Sequence, residues 1–298
     1  MTLAGVPAVT RTTDLGARTV RRSRRARNVL ATTLICASVL GAVVPLAFVI
    51  GYVVREGAKV VDLHFLIDAI PVSSRRAGPG MGPAIVGTLL ITGTAALMAI
   101  PLGILAAVHL AEYGQGRRLT SVIRFLSDVM AGVPSIVMGL FIYTIWVLRY
   151  GQSAFAGALA LAALMLPIVI RSSEAMLRLV PNDLREASYA LGARRSRTIL
   201  TVVLPAALPG IVSGSLLAVA RAAGETAPLL FTIGAARSFN TYLLEGSNTA
   251  LSTQIFRNAQ LPFDGPQARA WGAALTLIAL VLVLTVIARA VSSRYSSR

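Results

Sequence analysis

Six apolar runs, each long enough to cross a hydrocarbon core, recur along this 298-residue chain and constrain its fold more than any other feature. They cover about 29–54, 84–110, 122–148, 154–177, 206–233 and 271–291. A spanning helix needs roughly 20 predominantly apolar residues. Lipid offers the backbone no hydrogen-bond partners, so runs repeated at this length predict an all-α, polytopic membrane helical bundle with six transmembrane helices. Composition agrees, with 55% apolar and 13% charged residues, where a soluble domain carries about 25% charge. The expected organisation is a basic tail over 1–28, a transmembrane domain over 29–291 with a polar loop at 178–205, and a short tail over 292–298. Pro101 predicts a kink in the second run, and Asn240, Asn248, Asn258, Pro262 and Pro266 predict an ordered cap over 234–270.

The net charge of +16 would point to nucleic acid in a soluble protein. Here the arginines lie between the apolar runs and no RNA- or DNA-binding pattern accompanies them. They are read as membrane topology and contacts to anionic headgroups, with no nucleic-acid partner. With the N-terminus inside, 19 basic residues fall on that side and eight on the other. The 19 are seven in the tail (Arg11, Arg18, Arg21, Arg22, Arg24, Arg25, Arg27), then Arg117, Arg118 and Arg124, six from Arg171 to Arg197, and Arg289, Arg294 and Arg298. The expectation is a multi-pass protein of the bacterial plasma membrane with both termini and the 178–205 loop in the cytoplasm. The first run exceeds the roughly 7–15 apolar residues of a cleavable signal and reads as a signal anchor. Cys36 is the one cysteine, which excludes disulfides and cysteine-metal sites. His64 and His109 are too separated for a metal centre and are expected to be satisfied or solvent-facing.

The 178–205 loop holds EASYALGARRSRTILTVVLP, Glu186 to Pro205. A short helix is expected after Pro181, capped by Asn182 or Asp183, with Glu186 in its first turn at the positive dipole end. Ala187, Ala190 and Leu191 form a small apolar face, and Gly192 stops the helix. Arg194, Arg195 and Arg197 make a basic rim, and a leash leads into the fifth run at Pro205. Such a helix is too polar for lipid and too small to bury much by itself. It reads as a plug for a socket on another protein; the alternative is an interfacial amphipathic helix with its arginines at headgroups. A phosphate-cradling P-loop needs Gly-x-x-x-x-Gly-Lys-Ser/Thr. The one lysine is Lys59, followed by Val60, so the chain is no P-loop ATPase. No enzyme activity of its own is expected.

Arg221 and Glu225 stand inside the fifth run. A charged arginine near the bilayer centre costs about 2.5–3.5 kcal/mol on insertion scales. Four residues apart on one helix, the two would share a face and partly neutralise each other. Either they satisfy one another at a helix contact, or they face a pathway in which the guanidinium offers paired donors to a tetrahedral oxyanion. In the second case Glu225 competes for Arg221 and keeps binding transient. Thr226 and Thr232 either line that path or bond back to their own helix. Gly224 allows close packing or local unwinding beside Pro228. Asp128 is expected to cap the third run, and Arg171 and Glu174 to snorkel or pair at one end of the fourth.

The spacing Glu186-Ala187-Ser188-x-x-x-Gly192, nine residues, Val202-x-Leu204-Pro205 resembles the "EAA" coupling loop of bacterial ABC-importer permeases, with Ser188 where alanine is usual. Pro101-Leu102-Gly103-Ile104, Leu110-Ala111-Glu112-Tyr113, Gly132-Val133-Pro134-Ser135-Ile136 and Arg221 through Phe231 are similar to the phosphate-specific importer (Pst) permeases, most of all the A type. The resemblance extends over roughly residues 80–290. It implies a MetI-like ABC importer permease architecture and transport of inorganic phosphate. It implies a C-type permease partner, two copies of a cytoplasmic ATPase and an extracytoplasmic phosphate-binding protein. ATP and magnesium would sit on the ATPase, with no cofactor or metal on this chain. Glu186, Ala187, Gly192, Leu204 and Pro205 would form the ATPase coupling loop, and Arg221, Glu225 and Thr226 the phosphate pathway. Rival readings are a permease for sulfate or molybdate, and an ion-coupled secondary transporter or channel. An intramembrane enzyme lacks any supporting constellation of side chains.

Overall fold

The computed structural model describes residues 22–71, 80–114 and 118–296. The expected tail before Arg22, Gly78-Pro79, Arg117 and Arg298 lie outside the described residues. In chain order the helices are α1 (Arg22–Gly57), α2 (Leu63–Ile67), α3 (Gly82–Val108), α4 (Arg118–Gly132), α5 (Ser135–Ile142), α6 (Leu148–Tyr150), α7 (Ala154–Leu179), α8 (Asn182–Ala190), α9 (Arg195–Thr198), α10 (Leu204–Gly224), α11 (Ala227–Thr232), α12 (Leu251–Ala259) and α13 (Asp264–Ser296). No strand occurs among the described residues.

Two units divide at Tyr52 and Val53. The first, where described, is α1 up to Tyr52, whose residues from Ala26 to Tyr52 are all exposed. Leu30, Leu34, Val39, Leu40, Phe48 and Val49 clothe it on every side. An apolar coat without a polar face belongs to a helix whose surroundings are lipid or other membrane helices.

The second unit is built on α3, α7 and α10. Ile91, Ala95 and Ala99 of α3 meet Ala158, Leu161, Met165 and Val169 of α7, and Ala218 and Ala222 of α10 close the same core. Small residues let these backbones approach: a Cβ on Gly103 would lie 2.6 Å from Val169, and one on Gly214 would lie 2.5 Å from Ser172. Close van der Waals packing of this kind holds helices together where lipid competes for apolar contact. At one end, Phe65 of α2, Met81, Leu251 of α12 and Ala273 of α13 form a second cluster. There the expected cap over 234–270 is ordered: Asn240 donates to the carbonyls of Glu245 and Ser247, and Asn248 donates to that of Asn240. At the other end, Ala107, Leu177, Val203 and Ile211 join α3, α7 and α10.

Two expected spans are broken. The third run is α4 followed by α5 and α6, bent by 103° at Val133 and Pro134. Proline cannot donate to the Met130 carbonyl and disfavours a helical conformation at Val133. Val133 instead closes the turn onto Met130. The fifth run begins at Arg195, not at 206, and its long helix stops at Gly224. Pro228 lacks the N–H that would have bonded Gly224, so the chain turns through an extended Glu225 before α11 resumes. Pro101 and Pro167 lie within the unbroken α3 and α7. Among the described residues, five helices reach membrane length and one further span is the bent pair.

Candidate functional site

The two breaks face each other. Met130, Ala131, Val133, Pro134 and Ser135 from the α4–α5 bend, Leu164, Met165, Pro167 and Ile168 from α7, and Ala218, Arg221, Ala222 and Glu225 line a cavity of about 250 Å³. Leu164 to Ile168 stand about 15–21 Å along α7 from Ala154, at 1.5 Å per residue. That is the middle of a 26-residue helix, so the cavity lies near mid-depth of the bundle. Interrupted backbone at such depth is tolerated where it lines a cavity.

Arg221 and Glu225 share this cavity, with Nε of the arginine 3.8 Å from Oε1 of the glutamate. They do not share one continuous helix, because Glu225 lies just past the end of α10 in extended conformation. Its carbonyl accepts from the Ser252 hydroxyl at 2.8 Å, which ties the break to α12. Arg221 is 70% exposed and Glu225 22%. At that distance and exposure the pair is loose, leaving guanidinium donors free for another acceptor. Thr226 does not line the cavity: it precedes α11, and its carbonyl accepts from Leu229 and Leu230. Thr232 donates back to the Pro228 carbonyl at 3.0 Å.

The second feature is the hairpin α8–α9. Within α8, Arg185 and Ser188 are partly buried and every other residue is exposed. Pro181 occupies the cap position and makes no side-chain bond, Asn182 is already helical, and Asp183 rather than Glu186 stands in the first turn. The expected caps are thus replaced by proline, whose missing N–H costs nothing at a helix start. Gly192 ends the helix at φ +78°, with Gly192 N–H on the Tyr189 carbonyl and Ala193 N–H on that of Ser188. This pair of bonds is a Schellman motif, and it needs a residue comfortable in the left-handed region. Glu186 and Ala187 are exposed, and Leu191 is 89% exposed. Ser188 hydrogen-bonds Thr198 at 2.8 Å across the hairpin, so the departure from alanine adds a cross-link.

The expected leash is helical: α9 leads through a π-turn, Ile199–Val203, into α10. Pro205 deprives the Thr201 carbonyl of its usual donor, and the wide turn absorbs the mismatch. Leu204 packs on the Ala107–Val203 cluster, while Pro205 is exposed.

Sequence reasoning did not single out the pair that anchors α8. Arg185 donates through Nη2 to Glu112 at 2.8 Å and to the Leu177 carbonyl at 2.9 Å, and through Nε to Glu112 at 3.3 Å. Glu112 belongs to the π-turn His109–Tyr113 that ends the α3 rod. A glutamate next to a run of lipid length was the available signal. His109 differs from expectation, since its Nε2 is buried without a hydrogen-bond partner. Asp128 caps nothing; it pairs with Arg171 of α7. Glu174 pairs with Arg124 at 2.8 Å and Arg178 at 2.7 Å.

Residues 99–297 match the family described as binding-protein-dependent transport system inner membrane component. Over 272 residues the chain is 45% identical to "Phosphate transport system permease protein PstA 1" of Mycobacterium tuberculosis (strain CDC 1551 / Oshkosh), covering 89% of this chain and 88% of that one. It is 46% identical to a PstA of Mycobacterium leprae over 265 residues, 87% and 86% of the two chains. It is 41% identical to a PstA of Yersinia pestis over 272 residues, 91% and 92%. In fold it is similar to the inward-facing MetNI methionine ABC transporter, with a TM-score of 0.61, 18% identity, and 71% of this chain and 94% of that chain covered.

Proposed function

Because this chain belongs to the binding-protein-dependent inner membrane transport components, we propose that it is the permease subunit of an ABC importer that carries inorganic phosphate into the cell. ATP hydrolysis on a separate ATPase subunit, docked at α8, drives it. A second related permease of the C type completes the pore, two ATPase chains dock on the two permeases, and an extracytoplasmic binding protein delivers phosphate. The chain has no ATPase site of its own, and ATP and magnesium act on the partner.

The observation that carries this reading is the exposure of Arg221 at mid-depth. A guanidinium 70% exposed on a membrane helix cannot be left in lipid without a cost of several kcal/mol, about 2.5–3.5 on insertion scales. A water-filled path shared with a second permease relieves it. There the planar fork of Arg221 receives a tetrahedral oxyanion, and Glu225, 3.8 Å away, competes for the same donors. Thr226 then serves by holding the start of α11 beside the path. The basic tail, α8 and the C-terminus lie in the cytoplasm, and the 234–250 segment lies outside.

The test is uptake of labelled phosphate into vesicles holding the whole complex. Accumulation that requires ATP, and that excess sulfate or molybdate does not compete away, is expected. Uptake indifferent to nucleotide would replace this reading by a secondary transporter, and competition by sulfate would change the substrate.

A further inference from the structure

The backbone joins the α8–α9 hairpin to α7 on one side, through Val180 and Pro181, and to α10 on the other, through the π-turn Ile199–Val203. α3 has no such covalent link to the hairpin. It nevertheless packs along α7 and α10, in the same core as Met165, Ala218 and Ala222, which line the cavity. The hairpin grips it by two side chains. Arg185 of α8 holds Glu112, the two being only 14% and 5% exposed. Arg195 of α9 lies over the ring of Tyr113, its guanidinium carbon 4.9 Å from the centroid. Both cations close on neighbouring residues of one π-turn, and Arg185 binds the Leu177 carbonyl of α7 at the same time. A pair this buried adds little net stability over an apolar contact. It does fix one geometry.

We propose that the Arg185–Glu112 bridge, backed by Arg195 on Tyr113, is the transmission linkage that carries movement of α8 to α3 and so to the cavity. Arg185 and Glu112 are positioning residues: they touch neither the transported anion nor nucleotide. The proposal rests on the reading of α8 as the ATPase-docking element.

The test uses the complete complex on a Cys36→Ser background, with Ala131→Cys as a reporter in the cavity wall. Two readouts are taken: phosphate accumulated per ATP hydrolysed, and the rate at which a water-soluble maleimide alkylates position 131 with and without a non-hydrolysable ATP analogue. In Glu112→Gln, hydrolysis is expected to stay within about twofold of the parent, while phosphate per ATP falls about tenfold and alkylation no longer responds to nucleotide. The exchanged pair Glu112→Arg with Arg185→Glu restores the ion pair but not the donors to the Leu177 carbonyl. It is expected to recover phosphate per ATP by at least about threefold over Glu112→Gln, with alkylation again responding to nucleotide. Should Glu112→Gln fail to assemble, Tyr113→Leu leaves the ion pair in place and is expected to lower phosphate per ATP by about threefold.

An unchanged ratio in whichever of these variants assembles overturns the linkage. So does a lowered ratio that the exchanged pair leaves unrestored while alkylation still follows nucleotide. If the parent itself shows no nucleotide response at position 131, the docking reading fails and takes the linkage with it. If the parent responds but accumulates no phosphate, only the substrate assignment fails, and loss of the response in Glu112→Gln still supports the linkage.

Discussion

Arg221 presents a flat, forked donor set at the wall of the cavity, and its partner Glu225 leaves that fork partly free. An ammonium on a flexible stem offers a point charge without the paired geometry. Arg221→Lys is therefore expected to insert and assemble normally yet lose at least about tenfold in ATP-dependent phosphate uptake, and Arg221→Gln to lose more. Undiminished uptake in either would remove the residue from the pathway. Gly192 makes a different kind of demand. Nothing lies within 4 Å of a Cβ built there, but its φ is +78°. Gly192→Val is expected to strain the end of α8 by about 1–2 kcal/mol without a steric clash inside the chain. Its signature is a weakened grip of the ATPase on the permease in a co-purification assay, with the thermal stability of the bundle unchanged.

At the level of single elements, prolines decide where helices bend and glycines decide where they touch. Pro205→Ala returns a donor to the Thr201 carbonyl, so the π-turn Ile199–Val203 is expected to tighten to an α-turn. Removing one residue from a helical turn rotates what precedes it by about 100°, which would turn α9 away from Tyr113. Uptake should fall while melting temperature holds or rises; a variant with both properties unaltered would show that the wide turn is not set by Pro205. Gly139 on α5 is the close approach to α11, where a Cβ would meet the Cα of Pro228 at 2.5 Å. Gly139→Val is expected to destabilise by about 1–3 kcal/mol, seen as a lower unfolding temperature in detergent.

For the molecule as a whole, the ends of the bundle are unlike. One carries α2, α12 and the asparagine-tied segment around Asn240; the other carries the α8–α9 hairpin and the ion pairs of Glu174. With the arginine-rich end inside, Tyr242→Cys should react with a membrane-impermeant thiol reagent in intact cells on a Cys36→Ser background. Ser188→Cys should react only after the membrane is opened. The reverse pattern would invert the topology.

Much of this was legible in the residues because lipid is an unforgiving solvent. Apolar length announces a span, a polar helix between spans has no place in the hydrocarbon, and an arginine with a glutamate four residues on marks the costly spot. The spacing from Glu186 to Pro205 likewise marked a short helix ending at Gly192, though not the helical α9 that replaces the expected leash. What hydropathy could not reveal was continuity. Apolar averages run straight through Pro134 and Pro228, so the broken third and fifth helices read as whole ones. Nor could linear order show that Met130, Pro167 and Glu225 converge, or that Arg185 reaches across 73 positions to Glu112. Those pairings depend on which helix faces pack, and packing is settled by the fit of small residues between α3, α7 and α10. The sequence by itself determined a membrane bundle with a polar helix set between two spans; the tertiary structure alone decided where the breaks meet and what that helix holds.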